Sequence, residues 1–249
     1  MMNNLIPMAG AGSLFCKEGY SLPKPLIEVS GKPMVIQASD SLPLPEKWIY
    51  ICRDEHIREF QIDQVLKGYH DNVEIVTVDH LTEGQACTCL LAKEMINNEE
   101  QLMIAASDNG MIWNREKFED LKQDCDCLVW TFRGNNTVVK KPQAYGWIEC
   151  DRNLDIKKAS VKVPISQDPI NDHAIVGTFW FRKGKMFVDA AQRMISQDRR
   201  VNGEFYVDEV INDIVEMGLR AKVFEIEKYI CWGTPDDLRK YQYWESYFE

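Results

Sequence analysis

The apolar run Leu5-Ile6-Pro7-Met8 ends in Ala9-Gly10-Ala11-Gly12-Ser13, and no other feature of the chain limits its fold as tightly. A short buried strand that stops in small residues exposes consecutive backbone N–H groups, because no side chain screens them. Such amides form a cationic concavity suited to phosphate. Downstream, Pro23-Lys24-Pro25-Leu26 holds a lysine between two prolines, so its backbone is stiff and its ammonium can be aimed. Ser30-Gly31-Lys32-Pro33 then turns into a helix, with Pro33 near the first position, where a missing N–H costs nothing. Together these residues describe a nucleoside triphosphate site. Two other readings fail on spacing. A dinucleotide fingerprint needs a third glycine where Phe15 stands, and a Walker loop needs Ser or Thr where Pro33 follows Gly31-Lys32.

Strand and helix signals alternate through the first half. Apolar runs at Leu5–Met8, Trp48–Cys52, Val73–Val78 and Leu102–Ala106 are separated by helical patterns from about Pro33, through His56 to Leu66 with Gly68 as a stop, and from about Gly84 to Ile96. That rhythm predicts a parallel sheet with right-handed crossovers, its ligand loop at the carboxyl end of the first strand. In the second half, Cys127–Phe132, Tyr145–Glu149 and His173–Phe181 read as β segments. Helices are expected at about 184–197, at 205–217 and from about Thr234. No repeat or linker divides the chain, so one domain over 1–249 is expected.

The opening motifs resemble those of the sugar nucleotidyltransferases, whose signature is G-x-G-S/T-R, then P-K-P-L and G-K-P. Gly10, Gly12, Ser13, Pro23, Lys24, Pro25, Leu26, Gly31, Lys32 and Pro33 match it. The likeness is greatest to small bacterial members associated with capsule and lipopolysaccharide synthesis, and to small cytidylyltransferases. It implies an α/β, single-domain Rossmann-like (GT-A-like) fold with a mixed, mainly parallel central sheet and helices on both faces. It also implies a nucleotide-binding half at about 1–125 and an acceptor-binding half at about 126–249. The activity implied joins a nucleoside triphosphate, CTP before dTTP or UTP, to a phosphorylated acceptor with release of pyrophosphate. Sugar 1-phosphates, phosphocholine and phosphoglutamine are acceptors of that neighbourhood, and a quaternary-amine cage can be drawn from Trp147, Trp180 and Phe179.

Residue by residue, the resemblance implies that Ala9, Gly10, Ala11 and Gly12 cradle the triphosphate while Lys24 neutralises its charge. Glu83, Gly84 and Gln85 receive the base; Gln85 can both donate to and accept from base edges. Read alone, Thr82-Glu83-Gly84-Gln85 is also an ordinary helix start. Asp108, closing the apolar run from Leu102, is expected to hold Mg2+, a hard cation that takes one or two carboxylates with phosphate and water. Gly146, Glu149, Lys162 and Gly177 are expected around the acceptor. Three departures fall at chemical positions: Leu14 replaces the signature arginine, Val161 a glutamate and Cys231 a second magnesium-binding aspartate. Sulfur is a poor magnesium donor, which leaves either one protein carboxylate or a stand-in such as Asp208 or Glu204. These departures keep a catalytically degenerate nucleotide-binding homologue as the alternative. A GT-A glycosyltransferase is disfavoured, because Ser107-Asp108-Asn109 is half of a D-x-D motif and Asp124-Cys125-Asp126 comes too late.

The remaining composition sets limits. With 29 basic and 39 acidic residues the net charge is -10, which opposes nucleic acid or an anionic membrane as partner. Cys87/Cys89 and Cys125/Cys127 lack histidines at ligand spacing, so reduced thiols are expected rather than zinc. No leader pattern precedes Leu5 and no apolar run approaches the ~18 residues of a spanning helix, so a soluble cytoplasmic protein is the expectation. The resemblance also admits a homo-oligomer, although no apolar stripe marks an interface.

Overall fold

Strand β1 (Met2–Pro7) is buried on both faces. Leu5 packs with Ile49 and Ile51 on one side, and Ile6 with Tyr50 and Cys52 on the other, the two-residue alternation of a central strand. The protein is described here from a computed structural model covering residues 1–248; of the domain expected over 1–249, Glu249 lies outside the described residues. After the glycine turn come α1 (Ser13–Lys17), the short ladder of β2 (Glu28–Val29) and β3 (Lys32–Pro33), and α2 (Met34–Ser39), with Pro33 at its N-cap. There follow β4 (Lys47–Arg53), α3 (Asp54–Phe60), α4 (Ile62–Tyr69), β5 (Val73–Val78), α5 (Gln85–Leu90), α6 (Lys93–Ile96) and β6 (Gln101–Ala105). Strands β5, β4, β1 and β6 lie side by side and parallel.

Two helices expected to be continuous are broken. Gln61, at φ 52°, separates α3 from α4, while Gly68 lies inside α4 rather than ending it. Leu91 and Ala92 separate α5 from α6. Apolar residues run on across the first break, Ile57 and Phe60 before it and Ile62 and Leu66 after it, so the sequence pattern conceals it.

The second half adds β7 (Asn109–Ile112), α7 (Arg115–Lys122), β8 (Cys127–Phe132), α8 (Thr137–Lys140), β9 (Gly146–Cys150), β10 (Ile156–Val161) and β11 (His173–Phe181). It ends with α9 (Gly184–Ser196), α10 (Val207–Glu216), β12 (Ala221–Glu225), β13 (Lys228–Cys231) and α11 (Pro235–Phe248). Strand β11 runs antiparallel to β6, β8 and β9, and so joins the parallel half to the rest of a nine-stranded mixed sheet. The order is β10-β9-β11-β6-β1-β4-β5, with β8 beside β11 and β12 parallel to β8. Apolar clusters cover both faces. A third, smaller core joins the two ends of the chain: Phe15, Val29 and Met34 pack with Trp232 and Leu238. Phe15 is buried there, which explains why the glycine loop carries an aromatic where a dinucleotide fold has glycine.

All eight cysteines are free thiols. No helix among the described residues is long and apolar enough to cross a membrane.

Candidate functional site

The glycine turn and the lysine turn meet. Gly12 caps α1 at φ 58°, and a β-carbon there would lie 3.5 Å from Lys24 Cβ. Lys24 sits in a 3-10 turn closed by Leu26 N donating to Pro23 O at 2.8 Å, so its side chain leaves a fixed backbone. Its Nζ donates to Asp108 Oδ2 at 2.5 Å, across 84 residues of sequence. Asp108 follows β6, on the same edge of the parallel sheet as the glycine turn after β1. Gly10, Ala11, Gly12 and Lys24 line a cavity of about 210 Å³. Ala9 is buried behind it.

The closing motif holds Asp108 in place. Strand β13 pairs antiparallel with β7, Cys231 opposite Asn109, and Trp232 N donates to Asp108 O at 3.0 Å. A β-carbon on Gly233 would stand 3.2 Å from Asp108 Oδ2. Asp237 accepts from Thr234 Oγ1 at 2.6 Å, while Asp236 pairs with Arg239 at 2.5 Å. Both aspartates therefore dress the first turn of α11, as their position suggests.

Beside this lies a cavity of about 590 Å³, a size usual for small-ligand sites. Gly146, Lys162 and Gly177 line it, as does Gln85. Lys162 adopts a left-handed φ of 62°, uncommon for a side chain of its kind. Both its ends are tied: N donates to Tyr145 O at 3.1 Å and Nζ to Ala144 O at 2.6 Å. Gly177 (φ 93°) lies where the register of β11 shifts, and its carbonyl accepts from Ala106 N at 3.0 Å, next to the Asp108 turn. Glu149 is not brought in. Three residues from Gly146 along a strand, its side chain points to the opposite face, where it is exposed. The aromatic cage is also corrected. Trp147, Trp180 and Phe179 are at most 1 % exposed and belong to the core. Tyr145, Tyr206 and Tyr229 line the cavity instead.

At the expected base turn the structure offers a different reason for the glycine. Gly84 (φ 133°) faces the backbone of Phe205, whose N donates to Glu83 O at 2.8 Å and whose O accepts from Ala86 N at 3.0 Å. A β-carbon would stand 2.5 Å from that backbone. Protein, not ligand, occupies the space. Gly84→Ala is therefore expected to lower the unfolding free energy by roughly 3 kcal/mol, read as a shifted urea midpoint at constant slope. Glu83 is committed to Arg200 at 2.5 Å, and Arg200 stacks 4.1 Å from the centre of the Phe205 ring. Of this turn, Gln85 is the residue that faces the larger cavity.

The donors fit magnesium in one way only. Asp108 offers hard oxygen, whereas burial, with Asp108 and Asp237 nearby, pushes the Cys231 thiol up to about 12 and keeps it protonated. No group of three or more ligating side chains exists among the described residues. Glu204 is exposed beside the Val201–Glu204 bridge, and Asp208 lies against Gly146. Such a site suits an ion that arrives on phosphates and takes Asp108, and does not suit a protein-only cage. Asp124 and Asp126 are held by Arg220, which removes them as a metal motif.

Several contributors were not legible in sequence. The β7–β13 ladder, the tyrosines of the larger cavity and the contact of Asp208 with Gly146 are all tertiary. Burial pushes the Asp208 carboxyl up to about 6, against the lowering effect of Lys162.

No sequence-family model matches the chain, and no curated protein matches it in sequence. Solved structures do. A nucleoside-diphosphate-sugar pyrophosphorylase from Vibrio cholerae is similar over 96% of this chain and 98% of its own, at 20% identity and a TM-score of 0.77. The inositol-1-phosphate CTP transferase of T. maritima is similar over 97% and 94%, at 14% identity and a TM-score of 0.75. HddC from Yersinia pseudotuberculosis is similar over 98% and 100%, at 16% identity and a TM-score of 0.68. Sugar nucleotidyltransferases are thus the structural neighbours of this chain, the family that its Gly10–Ser13 and Pro23–Leu26 motifs resemble, and the chain has their fold.

Proposed function

We propose that the protein is a nucleotidyltransferase that joins a nucleoside triphosphate, CTP before dTTP or UTP, to a phosphorylated acceptor in surface polysaccharide synthesis. What supports this above all is the convergence of Lys24 and Asp108 between a glycine turn and a separate cavity that carries Lys162. One region has the donors for a triphosphate, and the other has room and charge for a second phosphate. In the reaction an acceptor phosphate oxygen bonds to the α-phosphorus in line as the bond to the departing pyrophosphate breaks. No covalent enzyme intermediate is required, so the protein's contribution is alignment and charge neutralisation. Residues 1–125 hold the nucleotide: Gly10, Ala11 and Gly12 face the phosphates with Ala9 buried behind them, Lys24 neutralises the charge, and of the base turn Gln85 is the residue left open to the base. Residues 126–249 hold the acceptor, with Lys162 on its phosphate and Gly146 and Gly177 beside it. Asp108 would hold a magnesium ion, which when bound supplies positive charge to the phosphate oxygens.

The exposure of Leu14 supports the second reading, a nucleotide-binding protein without turnover. Half exposed on α1, it leaves no guanidinium at the signature position. Labelled α-phosphorus separates the two. Transfer of the label into an acceptor adduct, with pyrophosphate as co-product, is the result expected. Nucleotide binding with the label staying in the triphosphate would establish the second reading instead.

A further inference from the structure

Phe15, Ile27 and Trp232 belong to the third, smaller core, apart from the two clusters on the sheet faces. Each of them carries one of the groups assigned to the triphosphate and its ion. Phe15 N and Cys16 N both donate to Gly12 O, at 3.1 and 3.4 Å, which ties the Phe15 ring to the glycine turn. Ile27 N donates to Lys24 O at 3.2 Å and closes the turn from which the ammonium leaves. From the far end of the chain, Trp232 N holds the carbonyl of Asp108. A shift of this core therefore moves the glycine turn, Lys24 and Asp108 relative to one another.

The Trp232 side chain reaches both sides of the site. A β-carbon on Gly110, two residues beyond Asp108, would stand 2.7 Å from Trp232 Cη2 and 3.2 Å from Cζ2, so the indole lies directly against the backbone of β7. The same ring shares the small core with Phe15, and Tyr241 of α11 meets it edge to face with centroids 5.6 Å apart. It is 2% exposed, yet its Nε1 has no hydrogen-bond partner among the described residues. An indole whose donor goes unused is kept there for its area. Outside the core, Arg239 pairs with Glu18, and Tyr241 Oη lies 2.8 Å from Ser30 Oγ. Those contacts fasten α11 across the segments that leave the glycine and lysine turns. The Arg239–Glu18 pair is about half exposed and adds little, which leaves the ring as the firm link.

Resting on the transferase reading, we infer that Trp232 is a positioning residue that couples the glycine turn to Asp108, so that triphosphate and magnesium each bind more tightly when the other is present. The ring lines neither cavity and acts through Asp108. It sets where that carboxylate stands relative to phosphates resting on Gly10, Ala11 and Gly12.

Two variants alter the contact from opposite strands. Trp232→Phe removes ring area and an unused donor, and orphans no partner. Gly110→Ala drives a methyl group against the ring. Both, and the pair together, are compared with wild type below their melting temperatures. Calorimetry without acceptor measures binding of CTP, UTP and dTTP, with magnesium and with a chelator. Wild type should bind its triphosphate ~10-fold or more tightly with magnesium. In Trp232→Phe that ratio should fall to about twofold, and in Gly110→Ala it should fall likewise, while magnesium-free affinity stays within about threefold of wild type. Adding Trp232→Phe to Asp108→Asn should change the ratio no further. In turnover, Trp232→Phe should lose ~10–100-fold in kcat, with acceptor KM within about twofold. The pair should recover part of the Gly110→Ala loss, because the methyl enters space that the larger ring vacates. A merely structural residue would lower the melting temperature and leave the magnesium ratio alone. An unchanged ratio in both single variants, a wild type whose triphosphate affinity ignores magnesium, or a pair that multiplies the two single losses overturns the inference. So does a wild type that binds none of the triphosphates. A ratio that depends on Trp232 with no pyrophosphate release overturns the transferase reading alone.

Discussion

Asp108→Asn is expected to lower nucleotidyl transfer by ~10³-fold or more, while the unfolding free energy changes by about 1 kcal/mol at most. The asymmetry follows from where the carboxylate sits. Its backbone is held by Trp232 N and its setting by the β7–β13 ladder, and the variant keeps both. Its side chain and that of Lys24 are 29% and 23% exposed, so the ion pair is partly solvated and of modest worth to the fold. For phosphoryl chemistry the same oxygens are the hard donors at the edge of the sheet, and an amide replaces one of them with a donor that repels cations. Steady-state kinetics with a denaturant melt on the same preparation reads both numbers. A tenfold or smaller loss of rate would remove Asp108 from the centre of the site.

Lys24→Met is the second large effect, a ~10²–10³-fold loss in kcat/KM. Methionine keeps the stem that crosses the Phe15 ring, where Lys24 Nζ lies 5.7 Å from the centroid, and deletes only the charge. Lys24→Arg should not restore the rate. The turn between Pro23 and Pro25 fixes the origin of the side chain, and a longer planar fork overshoots a spot set for an ammonium. Because Lys24 and Asp108 contact one another, the double variant should fall well short of the product of the single losses. Full multiplication would mean that the pair acts at separate places.

Much of this was legible because the residues that carry it are local. The opening strand, the two proline–lysine turns and the apolar run before Asp108 are contiguous, and each has one economical physical reading. Strand His173–Phe181 was equally plain, an apolar stretch too rich in β-branched and aromatic residues for a turn. Other features depended on distant partners. Gly84 and Gly146 invite a ligand in sequence, yet each is small because a protein group fills the space, Phe205 backbone in one case and Asp208 in the other. Glu149 looked like a neighbour of Gly146 until strand alternation turned it outward. Trp147 and Trp180 offered a cage only because sequence does not show that their faces are packed. The second-half strands β7, β12 and β13 are short and their partners lie far along the chain, so no periodicity announces them.

Pyrophosphate release measured side by side for wild type and Asp108→Asn, across five nucleoside triphosphates and a panel of phosphorylated acceptors with magnesium present, tests the central claim most directly. The account predicts release that requires one triphosphate and one acceptor together and disappears in Asp108→Asn. Nucleotide binding without release under any pairing, or release that persists in Asp108→Asn, would contradict it.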